Sequence, residues 1–260
     1  MDTQDSASSN QASEHTLAIL SFHKIGEPSP NGWETWFYIP EATFVGYLSY
    51  LQENNWHVID LTTFVRGLTR PEILPKRSAL LTFDDGYQSM LTSTLPLLLK
   101  FGYPAVLFVP TDFIGGRNSF DADCEPDEAI CDWDELRELE RWGVSVQPHG
   151  ASHQRFSELS LAQQEEELHH SKDSLEAGLK KHIEVFCYPY GDDGGNPQVI
   201  TQMLQRLGYQ AACLYGGDPI SLSIDQKAIA NPYHLPRLAM GPDTDLKAVL
   251  EPEVTASAVS

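Results

Sequence analysis

An α/β fold, with a mostly parallel sheet covered by helices, is what this sequence predicts. Three observations predict it. Short apolar runs alternate with amphipathic stretches along the chain, the order expected of strand–helix–strand units. No repeat and no linker divides the 260 residues, so a single domain is expected, its sheet closed as a barrel or open. The chemistry-bearing polar residues fall just after the carboxyl ends of apolar runs, the face on which parallel α/β folds carry their sites.

Taken in order, LAILSFH (17–23) is a buried strand ending in His23. Pro40 opens a helix whose apolar residues Phe44, Tyr47, Leu48 and Leu51 have helical spacing. WHVIDL (56–61) reads as a second strand, and SALLTF (78–83) as a third that runs into Asp84-Asp85-Gly86-Tyr87. A helix through 92–100 is kinked or started at Pro96. PAVLFVP (104–110) is the next strand, DWDELRELERW (132–142) a helix, and VSVQPH (144–149) a strand ending in His149. Ser160 with Gln163 fits a capping box for a long helix, with Leu161, Leu168, Leu175 and Leu179 on one face and Glu165, Glu166 and Glu167 in its first turns. IEVFCYPYG (183–191) is a strand into a turn, 197–207 a helix, 209–215 a strand, and HLPRLAM (234–240) the last strand. Residues 1–15 and 251–260 read as polar tails, the first of them disordered.

The charge balance is 17 basic against 37 acidic residues, a net −20. Such a surface repels phosphate backbones and anionic lipid, so nucleic acid and acidic membranes are poor candidate partners. A neutral or cationic ligand is compatible with it. No apolar run reaches the ~18–20 residues of a membrane span. The amino terminus has neither a basic nor an apolar leader segment, so the chain stays inside the cell or a signal precedes it. Cys187 and Cys213 lie in apolar runs and read as small buried hydrophobes. Cys124 and Cys131 sit in an acidic loop and can pair in an oxidising compartment. There is no C-x-x-C pair to suggest a zinc finger.

Asp84 and Asp85 are adjacent at a strand end, so their side chains diverge: one can bind a cation while the other handles a proton. Asp-Asp-Gly is also ordinary turn chemistry. His149 and His153 are four apart and can flank one metal, although two loop histidines are the plainer reading of that spacing alone. An Asp-His-His set with an open position gives a catalytic metal site. Such a metal lowers the pKa of water to roughly 7 and polarises a carbonyl, and a free Asp beside it can act as base. Together these residues point to hydrolysis of an amide or ester.

The segment from Leu80 to Ile114, opening LLTFDDGY, resembles the first motif of the polysaccharide deacetylases, the carbohydrate esterase 4 family with its NodB-like domain. GVSVQPHGASHQRFSELS (143–160) resembles the second motif and FCYPYG (186–191) the third. ILSFHKIG (19–26) and WHVIDLTTFVRGL (56–68) are similar to the branch that deacetylates poly-N-acetylglucosamine. The resemblance covers about Leu17 to Leu250. It implies a distorted (β/α) barrel, TIM-barrel-like, with one catalytic domain over 16–250, and an N-acetylated glycan as substrate. It implies a divalent metal, most often zinc, held by Asp85, His149 and His153. Asp84 becomes the general base on the attacking water, and the Tyr190 backbone N–H an oxyanion donor. Tyr87, Pro189, Trp133 and Arg237 are expected around the substrate. The family is usually exported.

Two departures accompany the resemblance. The family's third motif often begins with an Arg that steadies the base, and here Cys187 holds that place. Arg237 can substitute if the last strand lies beside the first motif. No acid-bearing motif stands near the carboxyl end, so His23 is expected as general acid, facing the metal on the side away from Asp84, with His234 as competitor. Trp33, Trp36 and Phe37 form an aromatic platform or ordinary packing. His169, His170 and His182 are expected in solvent. An esterase or amidase on another glycan or a small molecule, and a glycan-binding module without catalysis, are the rival readings. The intact Asp84, Asp85, His149 and His153 set argues against the second.

Overall fold

Buried apolar runs at 17–22 and 78–83 lie side by side as the central parallel pair. In the computed structural model, which describes residues 14–28, 30–223 and 228–251, the first half of the chain forms β1 (Glu14–Phe22), β2 (Lys24–Ile25), β3 (Tyr38–Ile39), helix α1 (Glu41–Glu53), β4 (His57–Val58), helix α2 (Leu61–Thr69), β5 (Arg77–Phe83), helix α3 (Leu95–Phe101) and β6 (Ala105–Val109). The second half forms helix α4 (Trp133–Arg141), β7 (Val144–Pro148), helix α5 (Leu161–Leu179), β8 (Val185–Cys187), helix α6 (Pro197–Arg206), β9 (Ala211–Cys213), β10 (Ile220–Ser223), β11 (Leu238–Ala239) and helix α7 (Leu246–Leu250).

Strands β1, β5, β6 and β7 pair in parallel, with Phe22 opposite Phe83. No strand ladder joins β7 to β8 among the described residues. The Gln147 carboxamide bridges that seam: its oxygen accepts the Glu184 and Val185 N–H groups, each at 3.0 Å. β8 pairs in parallel with β9. The Leu214 N–H donates to the Leu235 carbonyl at 2.8 Å and the Leu235 N–H to Ala212 at 2.9 Å. β11 then returns to β1 in parallel. The ring closes as a distorted barrel, its irregular stretch lying where the strands are three residues long or fewer.

Strand alternation splits the core into two shells. Leu17, Ile19, Leu80, Val106, Phe108, Val185 and Cys213 form one buried cluster, the barrel interior. Ala18, Leu20, Phe22, Leu81, Phe83 and Leu107 point outward into a second cluster with Phe44, Leu48, Leu98, Leu136, Leu168 and Leu204 from the helices. Leu61, Phe64 and Leu68 of α2 join the interior cluster. Asp60 caps α2, accepting the Thr63 N–H at 2.7 Å, a contact worth ~1 kcal/mol.

Several expectations change. The strand expected over 56–61 is two residues long, because Asp60 and Leu61 begin α2, a helix not anticipated. β10 was not anticipated either, and it runs antiparallel to β1. Glu14 and His15, expected in a disordered tail, belong to β1. Residues 1–13 and 252–260 of the two tails lie outside the described residues, while Glu251 accepts an ion pair from Arg77 at 3.0 Å. Pro96 stands in the first turn of α3, but a π-helical turn over Met90–Thr94 runs into it, so Pro96 marks the junction rather than the start of the helical stretch. Ser160 and Gln163 form the capping box of α5, but Leu161 is exposed and only Leu168 and Leu175 of the expected apolar face are buried. All four cysteines are free. Cys131 is buried with its thiol on the Tyr87 carbonyl, whereas Cys124 is exposed, so the loop pair does not form.

Candidate active site

The site is built at the carboxyl ends of β1, β5 and β7 and on the turn after β8. Because Phe22 and Phe83 are register partners, His23 and Asp84 leave their strands at the same level. The His23 Nε2 lies 3.9 Å from Asp84 Oδ2. The expectation that His23 stands away from Asp84 is therefore corrected: adjacent parallel strands in this register make them neighbours. The His23 ring packs on Phe37, centroids 4.3 Å apart. It borders a cavity of about 340 Å³ that Asp84, Asp85, Tyr87, His153 and Tyr190 also line.

Asp84 is 2% exposed and Arg237 is fully buried beside it. Arg237 donates from both terminal nitrogens to the two carboxylate oxygens at 2.7 and 2.8 Å, and from Nε to the Leu214 carbonyl. Burial pushes the Asp84 carboxyl up, but the charges of Arg237 and His149 and the Arg237 hydrogen bonds hold it below the usual carboxylate range. Arg237 thus spends four of its five N–H donors on the protein, holding Asp84 in place, and also lines the cavity. The placement of β11 beside β1 delivers it there.

Asp85, His149 and His153 converge. Asp85 Oδ1 lies 3.7 Å from His149 Nε2 and 3.2 Å from His153 Nε2. These separations match the edge of a tetrahedron with bonds of about 2.1 Å, which is about 3.4 Å. Asp85 Oδ1 is buried without a hydrogen-bond partner, an arrangement that leaves a carboxylate oxygen free for a cation. The His149 Nδ1 stands 2.9 Å from the Cys187 carbonyl; donation there fixes the tautomer that leaves Nε2 as a ligand. Burial lowers the His149 pKa to about 4, so the ring is neutral and ready to ligate. Despite its burial, Asp85 is held well below the usual range by the neighbouring imidazoles, His153 first among them. The three side chains can hold one divalent cation, with an open side toward the cavity. Asp84, His149 and Cys187 also bring donor atoms within 4.8 Å. There Asp84 is already engaged by Arg237 and burial keeps the Cys187 thiol protonated, so that set is the poorer one.

Left-handed backbone shapes the site. Asp85 has φ 70°, His153 φ 59° and Tyr190 φ 57°, each costing on the order of 1–3 kcal/mol for a residue other than glycine. Glu167 of α5 supports the His153 loop, accepting the Ala151 and Ser152 N–H groups at 2.7 and 3.0 Å and the Ser152 hydroxyl.

Other expected residues separate. Tyr87 is buried at the cavity with Lys24 over its ring. Pro189 is buried and packs toward Gly150. Trp133 is not a groove residue: its ring lies on Gly178 of α5, where an added Cβ would meet it at 2.1 Å. His234 does not line the cavity; its Nδ1 contacts Asn231 and its Nε2 lies 3.0 Å from Asp193. Trp36 covers Gly241, Trp33 is exposed, and of the three aromatics Phe37 alone reaches the cavity. His169, His170 and His182 are exposed.

Sequence reasoning missed Gln147 and Glu167, each a single polar residue inside a motif or helix with no spacing signal. It also missed the buried Lys24–Glu125 ion pair at 2.5 Å, which clamps the acidic loop to β2.

Residues 72–212 match the family model described as polysaccharide deacetylase. The chain belongs to the polysaccharide deacetylase family. It is 23% identical over 194 residues to the Bacillus subtilis (strain 168) protein YxkH, a match spanning 75% of this chain and 62% of that protein. It is 22% identical to the poly-beta-1,6-N-acetyl-D-glucosamine N-deacetylase of Staphylococcus aureus (strain MSSA476), over 92% of this chain and 83% of the relative. Among solved structures, the Streptococcus pyogenes deacetylase PplD superposes with a TM-score of 0.75 at 21% identity, covering 91% of this chain and 99% of that one. This member of the family has the distorted barrel of its structural neighbours. No described helix is long and apolar enough to cross a membrane.

Proposed function

We propose that this polysaccharide deacetylase removes N-acetyl groups from an N-acetylglucosamine-containing polysaccharide, releasing acetate, with a divalent cation, zinc by preference, on Asp85, His149 and His153. The observation that carries the reading is the division of labour between adjacent aspartates. Asp85 faces two imidazoles, while Asp84 is held separately as an anion by Arg237 at the same cavity. The Staphylococcus aureus relative's name supports the choice of sugar, and a cavity of about 340 Å³ accommodates one sugar unit.

When bound, the metal acidifies the attacking water and polarises the amide carbonyl. Asp84 accepts the proton as the water oxygen bonds to the carbonyl carbon, and Arg237 keeps its carboxylate oriented. The Tyr190 N–H donates to the carbonyl oxygen as negative charge gathers on it. His23 gives a proton to the nitrogen as the carbon–nitrogen bond breaks, so the products are acetate and a free amine. Two borderline imidazole nitrogens with one carboxylate oxygen form a donor set that suits zinc.

The test is acetate release from acetylated glucosamine oligomers by zinc-loaded protein, set against acetylated xylan and peptidoglycan. Turnover on the glucosamine oligomers that disappears on chelation and returns with zinc is the expected result. Binding of the oligomers without acetate release at any metal content makes the protein a glycan-binding module instead.

A further inference from the structure

Tyr190 joins three parts of the molecule that are far apart in sequence. Its hydroxyl donates to Asp121 Oδ1 at 2.9 Å. The Arg155 guanidinium lies over its ring, 4.1 Å from the centroid, and the His153 ring flanks it at 4.7 Å. Its backbone has φ 57° and ψ 10°, a conformation a tyrosine does not hold unaided. The side chain is 39% exposed, so burial alone does not fix it either.

Asp121 is itself tied down. It lies on the acidic loop that the Lys24–Glu125 pair anchors between the Tyr38 and Tyr87 rings. The Asn118 amide of the same loop donates to the Pro126 carbonyl at 2.9 Å. Arg155 follows His153 by two residues, so it moves with the metal-ligand loop.

We propose that Asp121 and Arg155 are positioning residues: from two different loops they hold the Tyr190 side chain and so aim its backbone N–H at the carbonyl oxygen of the substrate. The inference rests on the reading of that N–H as the oxyanion donor. It also explains a side-chain choice. Phenylalanine would supply the same ring to Arg155 and His153, and the hydroxyl is needed only for Asp121. The device places the aim of one donor under the control of two loops, one carrying a metal ligand and one bordering the substrate.

The experiment uses zinc-loaded full chain and acetylated glucosamine oligomers, with metal content measured in parallel. Tyr190→Phe and Asp121→Ala are each expected to lower kcat on the order of 10-fold, with KM and zinc content near wild type. The double variant should lose no more than either single one, because both cut the same link. Asp121→Asn keeps an acceptor for the hydroxyl and should restore most of the turnover. Additive losses in the double variant, or a raised KM with unchanged kcat in Asp121→Ala, overturn the proposal; the second result makes Asp121 a substrate contact. Replacing the Tyr190 N–H by an ester oxygen, through incorporation of the α-hydroxy acid of tyrosine, separates the two levels of inference. Unchanged kcat in the ester variant refutes the oxyanion reading itself. A large loss there, with full activity in Tyr190→Phe, leaves that reading standing and refutes the positioning role.

Discussion

His23 and Asp84 stand level at the ends of two hydrogen-bonded parallel strands, 3.9 Å apart, because the residues before them, Phe22 and Phe83, are register partners. The group proposed to take a proton and the group proposed to give one are thus fixed by the same ladder. A shift of register would separate them together with the whole apolar pattern of β1.

The acid role of His23 predicts a selective defect. His23→Ala should lower deacetylation of an N-acetyl sugar by on the order of 10²-fold or more, since an amine leaves poorly without a proton. Hydrolysis of an activated aryl acetate should fall far less, and zinc should remain bound. Equal losses on both substrates would remove His23 from this role.

The two aspartates should separate by metal content. Asp84→Asn is expected to retain zinc and lose ~10²–10⁴-fold in turnover. Asp85→Asn should lose zinc first, which equilibrium dialysis at graded free zinc would register. Near wild-type turnover in Asp84→Asn at full zinc occupancy contradicts the assignment.

Arg237→Met should leave Asp84 as an uncompensated buried charge and cost roughly 3–5 kcal/mol in urea unfolding. In the wild type Asp84 is depressed below its unfolded pKa of about 3.9. Its contribution is therefore present above that pH and is lost as pH falls through the lower folded value. Without Arg237 the Asp84 pKa rises, so the acid limb of the activity profile should move to higher pH. An unmoved acid limb would mean that Arg237 does not govern the Asp84 charge.

His149 gives a pH signature in metal-free protein. Its folded pKa is about 4, against about 6.5 unfolded. Between these values the unfolded chain binds the extra proton, so stability should be complete above pH ~6.5 and decline toward pH ~4, by up to roughly 3 kcal/mol. His149→Gln should flatten that part of the profile of unfolding free energy against pH. Zinc should oppose the decline by binding only the folded form.

The barrel and its chemical face were legible because strand and helix periodicities alternate and because Asp84-Asp85 and His149 directly follow strands, with His153 on the loop after His149. Short or exposed elements were not. α2 carries Thr62, Thr63, Val65 and Gly67, poor helix formers whose folding is decided by burial of Leu61, Phe64 and Leu68. β10 has only four residues and no clean alternation. Trp133 was misplaced because an aromatic at a helix start reads equally as groove or packing, and only the small Gly178 opposite decides it. The seam bridged by Gln147 leaves no periodic trace, since one amide does the work of a missing ladder.

Asp85, His153 and Tyr190 share the left-handed backbone that glycine adopts freely. At these three positions the sequence best for folding differs from the sequence best for chemistry. Asp85→Gly and His153→Gly remove both a strained residue and a buried polar atom, so each variant should melt higher without metal while losing the centre. A library screened for thermal survival alone would drift toward glycine there and enrich inactive barrels. Directed improvement of this enzyme therefore has to hold those positions fixed and look for robustness elsewhere, such as the exposed Leu161 on α5.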